Sequence, residues 1–266
     1  MKTNKQLAEN SASYYWRSLV KQDSKEFHTR GLKYLNKIIS STKESLNNVR
    51  INGIVLDVWW WPWNKTVHIW NELMDHTKWS ILILIEPVEA NRKIAIKRMR
   101  ETWILYDVAK WYWVKVIEGN SYDLAAYWKI EHIFMNQILH HLTDEQKALS
   151  IQQAFNSLKV WGRLFILDTM VPNQFFHQVT TFFLLKKLYS YRKKNNYHNS
   201  TQQAHIDLIE NTSNGNYFFE VELDSTKNFY NLWKMWEIWT KLKILYPFMT
   251  QIVAIKKENH ENSRKK

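Results

Sequence analysis

A few short stretches of this sequence carry side chains that could do chemistry. Asp57 stands in Leu56-Asp57-Val58-Trp59-Trp60-Trp61-Pro62-Trp63, directly after the apolar run Ile54-Val55-Leu56. Glu86 follows Ile81–Ile85 and precedes Pro87. Asn120 and Ser121 follow Glu118-Gly119, Asn136 follows Ile133-Phe134-Met135, and His140-His141 come soon after it. A carboxylate at the end of a buried strand offers acceptors only, so it suits a ligand that presents hydroxyl or ammonium donors. A His can take a proton from a substrate hydroxyl near neutral pH. Plain structural roles stand beside these: Asp57 as a turn cap, Glu86 as a solvated strand end, His140 and His141 as packing or cavity lining. No His pairs with carboxylates at metal-ligand spacing, so no required metal is expected.

The elements that must position these residues can be read from apolar spacing. Ile54–Leu56 is a short β-branched run, as expected of a strand buried on both faces. Further strands are expected over Trp79–Ile85, Val114–Ile117, Ile130–Met135 and Leu164–Leu167. Helical spacing marks Asn64–His76 and Glu89–Thr102. Thr143-Asp144-Glu145-Gln146 has the form of a capping box, with an apolar stripe of Ala148, Ile151, Phe155 and Leu158 behind it. Strands and helices thus alternate from Ile54 to Leu167, which argues βαβ units and a mostly parallel sheet covered on both faces. Beyond Pro172 the spacing predicts an apolar helix over Phe175–Leu188 and a polar loop over Arg192–Gly215. A strand over Tyr217–Leu223 and a helix over Asn228–Ile238 follow. Leu242–Tyr246 and Thr250–Ile255 close the chain as an antiparallel pair around Pro247.

Composition excludes several classes. The 266 residues are 45% hydrophobic and 23% charged, as in an ordinary globular protein. Zero Cys rules out disulfide scaffolds, thiolate zinc sites and Cys nucleophiles. It permits a reducing, cytoplasmic setting, which is the expected location. Met1–Ser13 has no apolar core of a signal peptide, and Ile81–Ile85 is the longest aliphatic run, so no membrane span is expected. The net charge of +12 leaves a nucleic-acid partner open, against the plainer reading of a Lys- and Asn-rich composition.

The unusual numbers are Gly 5 and Trp 15. A chain of this length ordinarily carries roughly nineteen Gly. Together the two counts come close to that complement. Four of the tryptophans stand at 59, 60, 61 and 63, where a tight strand-to-helix turn needs Gly for positive φ or close approach.

With Gly at those four positions, the segment Val55–Trp63 resembles the glycine-rich first motif of class I S-adenosylmethionine-dependent methyltransferases. Other segments extend the resemblance over roughly residues 50–172. Ile81–Ile85 with Glu86 is similar to the second strand and its ribose-binding acid. Glu118-Gly119-Asn120-Ser121-Tyr122-Asp123-Leu124 is similar to the adenine-recognising loop, with Asn120 where the family often has Asp. Ile133–Leu142 is similar to strand four and its small-molecule-type extension. Trp161-Gly162 stands for the Gly-Gly turn before strand five, and Asp168-Thr169-Met170-Val171-Pro172 follows that strand as in many relatives.

The resemblance implies a Rossmann-like α/β fold: a seven-stranded, mostly parallel sheet, an antiparallel C-terminal strand and helices on both faces. Residues 1–50 would form a helical cap, with Tyr14 and Tyr15 as part of a lid. Residues 51–256 would be the methyltransferase domain with 173–215 inserted, and 257–266 a basic disordered tail. It implies S-adenosylmethionine as cofactor, held by Asp57, Trp59, Trp61, Glu86, Asn120, Ser121 and Asn136. The reaction would be methyl transfer to a small-molecule O, N or C nucleophile, with His140 or His141 as a base. The alternatives are an RNA methyltransferase and a catalytically dead binding protein on the same fold. An Asn-Pro-Pro-Tyr type tetrapeptide is missing after strand four, which lowers the DNA-adenine reading.

The tryptophans decide between these. Trp59, Trp60, Trp61, Trp63 and Trp161 all occupy Gly positions of the family. The expectation is that one codon, translated as Trp, means Gly in the source. Ordinary UGG codons at these positions would refute that. If the Trp are real, Trp59 and Trp61 fill the space of the methionine moiety and cofactor binding is impaired. An aromatic base-stacking platform is the remaining reading.

Overall fold

The computed structural model describes residues 36, 38–59, 64–101, 114–124, 126–170, 201–225 and 248–259. The helices expected before residue 36, with Tyr14 and Tyr15, lie outside that set. So do Trp60, Trp61, Trp63, Trp103, Trp111 and Trp113, the helices at 175–188 and 228–238, the strand at 242–246 and the last seven residues of the tail.

Seven strands form one sheet. They are β1 (Gly53–Trp59), β2 (Ser80–Ile85), β3 (Val114–Ile117), β4 (Ile130–Asn136), β5 (Leu158–Met170), β6 (Tyr217–Ser225) and β7 (Phe248–Glu258). Their order is β3-β2-β1-β4-β5-β7-β6. The pairs β3–β2, β2–β1, β1–β4 and β4–β5 are parallel. Only β7 runs against its neighbours, antiparallel to both β5 and β6. This is the expected architecture: a Rossmann-like seven-stranded sheet, mostly parallel, with the last strand antiparallel.

Each central strand is apolar on both faces, and the two faces feed two cores. Leu56, Val58, Ile133, Met135, Leu164 and Ile166 point to one core, closed by Ile151 and Phe155 of α4 (Asp144–Ser157) and by Ile206 and Ile209 of α5 (Gln202–Glu210). Val55, Leu82, Leu84, Phe134 and Phe165 point to the other. That side is closed by Ile39 of α1 (38–45), by Leu73 beyond α2 (Asn64–His68) and by Ala95 and Met99 of α3 (Glu89–Glu101). Helices therefore cover both faces, as a parallel sheet with continuous apolar strands demands. Phe134 and Phe165 stack with centroids 4.6 Å apart.

Thr143 caps α4 as expected, and the reciprocal bonds with Gln146 complete the capping box. The other end of α4 is closed from a distance. The buried Nζ of Lys256 donates to the carbonyls of Phe155 (2.8 Å) and Leu158 (2.9 Å). His132 is a satisfied core histidine whose Nδ1 accepts the Arg163 N–H at 3.2 Å. Burial, then the nearby Arg163 and Lys159 charges, push its pKa down to about 3, so it stays neutral.

Several elements differ from the sequence reading. Asn64–His76 is not one helix: α2 ends at His68 and a π-helical turn covers Ile69–Leu73. Leu158 leaves the helical stripe and begins β5, which is much longer than Leu164–Leu167 because β7 pairs along it to Met170. Part of the expected polar loop is helix α5, whose His205, Ile206 and Ile209 are buried against the sheet. Among the described residues the partners of β7 are β5 and β6. It also runs two residues into the expected tail, where Lys257 pairs with Glu220 at 2.5 Å.

Trp161 shows why a residue type can conflict with its backbone. It sits in β5 with φ +68°, and its side chain is 56% exposed. Left-handed backbone crowds any Cβ against the next carbonyl and costs about 1–2 kcal/mol for a non-Gly residue. The register slips at this point, between Ile130 and His132 of β4. Its neighbour Gly162 has no room for a Cβ, which would lie 2.8 Å from the Glu131 carbonyl oxygen and 2.9 Å from that of Lys159. Trp161→Gly is expected to raise stability by about 1 kcal/mol in urea unfolding. Trp161→Ala keeps the Cβ and should give no such gain; an equal gain would place the cause in the indole and not in the backbone.

Candidate functional site

In a parallel sheet covered on both faces, ligands bind beyond the carboxyl ends of the strands, where the strand order reverses. Here the reversal falls between β1 and β4. The polar residues singled out in the sequence gather on that edge.

Asp57 is fully buried. Its Oδ2 accepts from the Thr66 hydroxyl at 2.5 Å, and its Oδ1 accepts from the Asn136 amide at 3.0 Å. Thr66 belongs to α2, so this bond closes the Trp-rich link between β1 and α2 at its base. Asp57 does not end its strand, as the sequence suggested; β1 continues to Trp59, which pairs in register with Asn136. Trp61 lies outside the described residues.

Glu86 follows β2 and is buried. Its Oε1 accepts the Val88 N–H at 2.8 Å. Burial pushes its carboxyl up to about 8; the bonds from Val88 and Asn91 and the charge of Arg92 oppose that shift more weakly. Arg92 braces the same loop, donating to the carbonyls of Glu86 and Pro87 at 2.9 Å each and pairing with Glu118 at 2.7 Å. Gly119 lets the β3 loop pass close by: a Cβ there would lie 2.9 Å from Cγ2 of Ile85. Asn120 is half-buried in this loop, and its carbonyl accepts from Asp123 N–H at 3.1 Å. The Ser121 hydroxyl is buried and bonded to Ser150 of α4 at 2.8 Å, so it anchors the loop to the fold.

Gln137 turns the chain after β4 with φ +54°, and its N–H donates to the Leu167 carbonyl at 2.7 Å. The turn Leu139–His141 follows. The His140 N–H donates to Oδ2 of Asp168 at 3.1 Å, and its Nδ1 bonds Oδ1 of the same carboxylate. The His141 ring lies 4.0 Å from that of His140, tilted by 44°. The sequence reading placed Asp168 after strand five without giving it a partner. The signal was present: like Asp57 and Glu86, it is an acid directly after an apolar run. The structure thus brings Asp57 and Asn136 together, sets Glu86 and Asn120 on the β2–β3 side, and gives His140 a carboxylate partner. Among the described residues, no three His, Asp or Glu form a group that could hold a metal ion.

No protein-family profile and no curated protein matches the sequence. Solved structures do match in shape. YcgJ of Bacillus subtilis aligns with TM-score 0.57 and 14% identity, over 85% of this chain and 99% of that one. Geranyl diphosphate C-methyltransferase of Streptomyces coelicolor aligns with TM-score 0.55 and 13% identity, over 88% and 84%. Phosphoethanolamine N-methyltransferase 2 of Haemonchus contortus aligns with TM-score 0.51 and 13% identity, over 79% and 50%. At these identities the likeness is one of fold. The strand order, the single antiparallel strand and the covered faces give this chain the class I methyltransferase fold.

The raised carboxyl of Glu86 links stability to pH. Its folded value, about 8, lies above the ordinary 4.5. Its contribution is therefore fully present below about 4.5 and is lost as pH rises through about 8. Glu86→Gln stays neutral throughout. From pH 5 to pH 9 the natural chain should lose stability relative to the Gln variant in urea unfolding. Parallel pH profiles for the two proteins would contradict the assignment.

Proposed function

We propose that this chain binds S-adenosylmethionine along the carboxyl edge of β1, β2 and β4 and transfers its methyl group to a small-molecule acceptor. The buried carboxyl of Glu86 carries the reading. This buried acid at the end of β2, with Oε1 engaged by the Val88 N–H, becomes an acceptor for a diol when it gives up the proton that burial holds on it. Asn120 lies on the same side for the adenine. Asp57 and Asn136 lie on the other side for the methionine end, with Trp59 at the end of β1 beside Asn136. The bound group supplies an activated methyl on a sulfonium. The protein's own part is to orient the acceptor in line and keep water away. Two of the similar structures support the reading: geranyl diphosphate C-methyltransferase holds S-adenosyl-L-homocysteine and phosphoethanolamine N-methyltransferase 2 holds S-adenosyl-L-methionine.

The glycine question belongs to the same proposal. Of the two motif positions whose backbone is described, Trp161 has the φ that favours glycine and Trp59 is extended in β1. This supports Gly as the functional residue at 161, and the motif resemblance extends the proposal to 59, 60, 61 and 63.

Calorimetry tests both parts. The chain with glycine at these five positions should bind S-adenosylmethionine, and the Trp-containing chain should bind it more weakly or not at all. Absence of binding by the glycine form would reject the enzyme reading in favour of a non-catalytic protein. Salt-sensitive RNA binding would point to the RNA methyltransferase instead. Hydroxyl donors favour the ionised form of Glu86, so binding at pH 7 should release a proton. The binding heat will then vary with the ionisation enthalpy of the buffer, and affinity will rise with pH up to about 8. In Glu86→Gln that buffer dependence should vanish.

A further inference from the structure

The nucleoside end of the proposed site lies between two loops, one after β2 and one after β3. The parallel ladder of these strands ends with Ile85 opposite Ile117. One further bond follows, from the Glu86 N–H to the Ile117 carbonyl at 3.2 Å. Pro87 has no N–H to continue the ladder. Glu86 then stands in one loop and Asn120 in the other.

A single side chain from α3 spans the two loops. The Arg92 side chain is 15% exposed. Its Nη1 donates to the carbonyls of Glu86 and Pro87 at 2.9 Å each, and its Nη2 donates to Oε2 of Glu118 at 2.7 Å. Its backbone N–H donates to the Val88 carbonyl at 3.0 Å, while the Val88 N–H donates to Oε1 of Glu86 at 2.8 Å. A planar guanidinium reaches acceptors on two loops at once, whereas an ammonium is a single point charge. Exposed ion pairs contribute little because two long side chains must be ordered together. Glu118 is 69% exposed, but two carbonyls already fix its partner, so only one side chain remains to be ordered.

The guanidinium charge also acts on Glu86. Burial holds a proton on that carboxyl, and the Arg92 charge opposes this together with the bonds from Val88 and Asn91. Arg92 thus fixes the loop that carries the acid and favours the ionised form, which accepts from a diol.

We propose that Arg92 is a positioning residue for the nucleoside end of the cofactor: by tying the loop after β2 to Glu118 of the loop after β3, it holds Glu86 and Asn120 at a fixed spacing for ribose and adenine. This rests on the S-adenosylmethionine reading and deepens it. Arg92 acts through the two loops. Neither it nor Glu86, Glu118 or Asn120 belongs to the Trp-rich link, which the motif resemblance sets at the methionine end. Adenosine lacks that end, so it probes the nucleoside end in the chain as it stands.

Calorimetry should show adenosine binding to the natural chain with an affinity that rises with pH up to about 8. Arg92→Met should weaken binding about tenfold at pH 7 and move the plateau to higher pH, because Glu86 loses the charge that favours its ionised form. Arg92→Lys keeps the charge but not the fork, so affinity should fall while the plateau stays in place. Glu118→Gln should weaken binding in the natural chain and add nothing in the Arg92→Met background. Because Glu118 is exposed, this variant also reads the pair if Arg92→Met does not fold. Natural affinity in Arg92→Met or in Glu118→Gln overturns the proposal. So does a loss in Arg92→Met that leaves the plateau in place, which assigns Arg92 a general structural role, and so do losses in the two variants that add in full. In each of these cases adenosine still binds the natural chain and the cofactor reading stands. Absence of adenosine binding by the natural chain overturns the proposal, and absence of S-adenosylmethionine binding by the glycine form overturns the cofactor reading with it.

Discussion

Asp57 sets the constraint on which the candidate site depends. A carboxylate without solvent must find donors inside the protein, or the fold carries a large desolvation penalty. Asp57 finds them in Thr66 of α2 and Asn136 of β4. Those two bonds join β1 to the start of its crossover helix and to the strand across the topological switch. They fix the base of the Trp-rich link and the spacing between the carboxyl ends of β1 and β4. Removing the acid would take this acceptor from the Thr66 hydroxyl and the Asn136 amide, which is why the site and the fold share this residue.

The same logic recurs along the edge. The strands are apolar on both faces, so their interiors have no place for polar chemistry. Acids therefore appear near the carboxyl ends of the strands, Asp57 in β1, Asp168 in β5 and Glu86 just beyond β2. Each meets a different environment: Asp57 has two side-chain donors, Glu86 a backbone N–H and a burial strong enough to favour its neutral form, and Asp168 a histidine. Three carboxyls of similar chemistry thereby sit in three environments: one bonded by two side chains, one pushed towards its neutral form by burial and one bonded to a histidine.

Much of this was legible in the sequence because it rests on local signals. β-branched runs marked the parallel strands, and Thr143 with Gln146 marked the start of α4. The acids at strand ends marked the edge. What escaped notice depends on contacts distant in sequence. Lys256 carried no signal of a role beyond the last residue of the expected domain, yet it closes the C-terminus of α4 about a hundred residues away. His205 lay in a stretch polar enough to read as loop, but its buried face, with Ile206 and Ile209, is set by packing on the sheet. β5 looked short because only its middle is continuously apolar; pairing with β7 extends it. Trp161 cuts the other way: the sequence marked it as misplaced, and its backbone supplied the reason.

By itself the sequence determined the alternation of strands and helices, the α/β class and the carboxylates at the strand ends. Periodicity and composition act over a few residues, and a single chain carries them in full. The tertiary structure decided which polar groups meet: Asp57 with Asn136, His140 with Asp168, Ser121 with Ser150. It also decided that Glu86 is buried enough to hold its proton near neutral pH. Hydrogen-bond partners and desolvation are properties of three-dimensional neighbours, and no spacing along the chain encodes them.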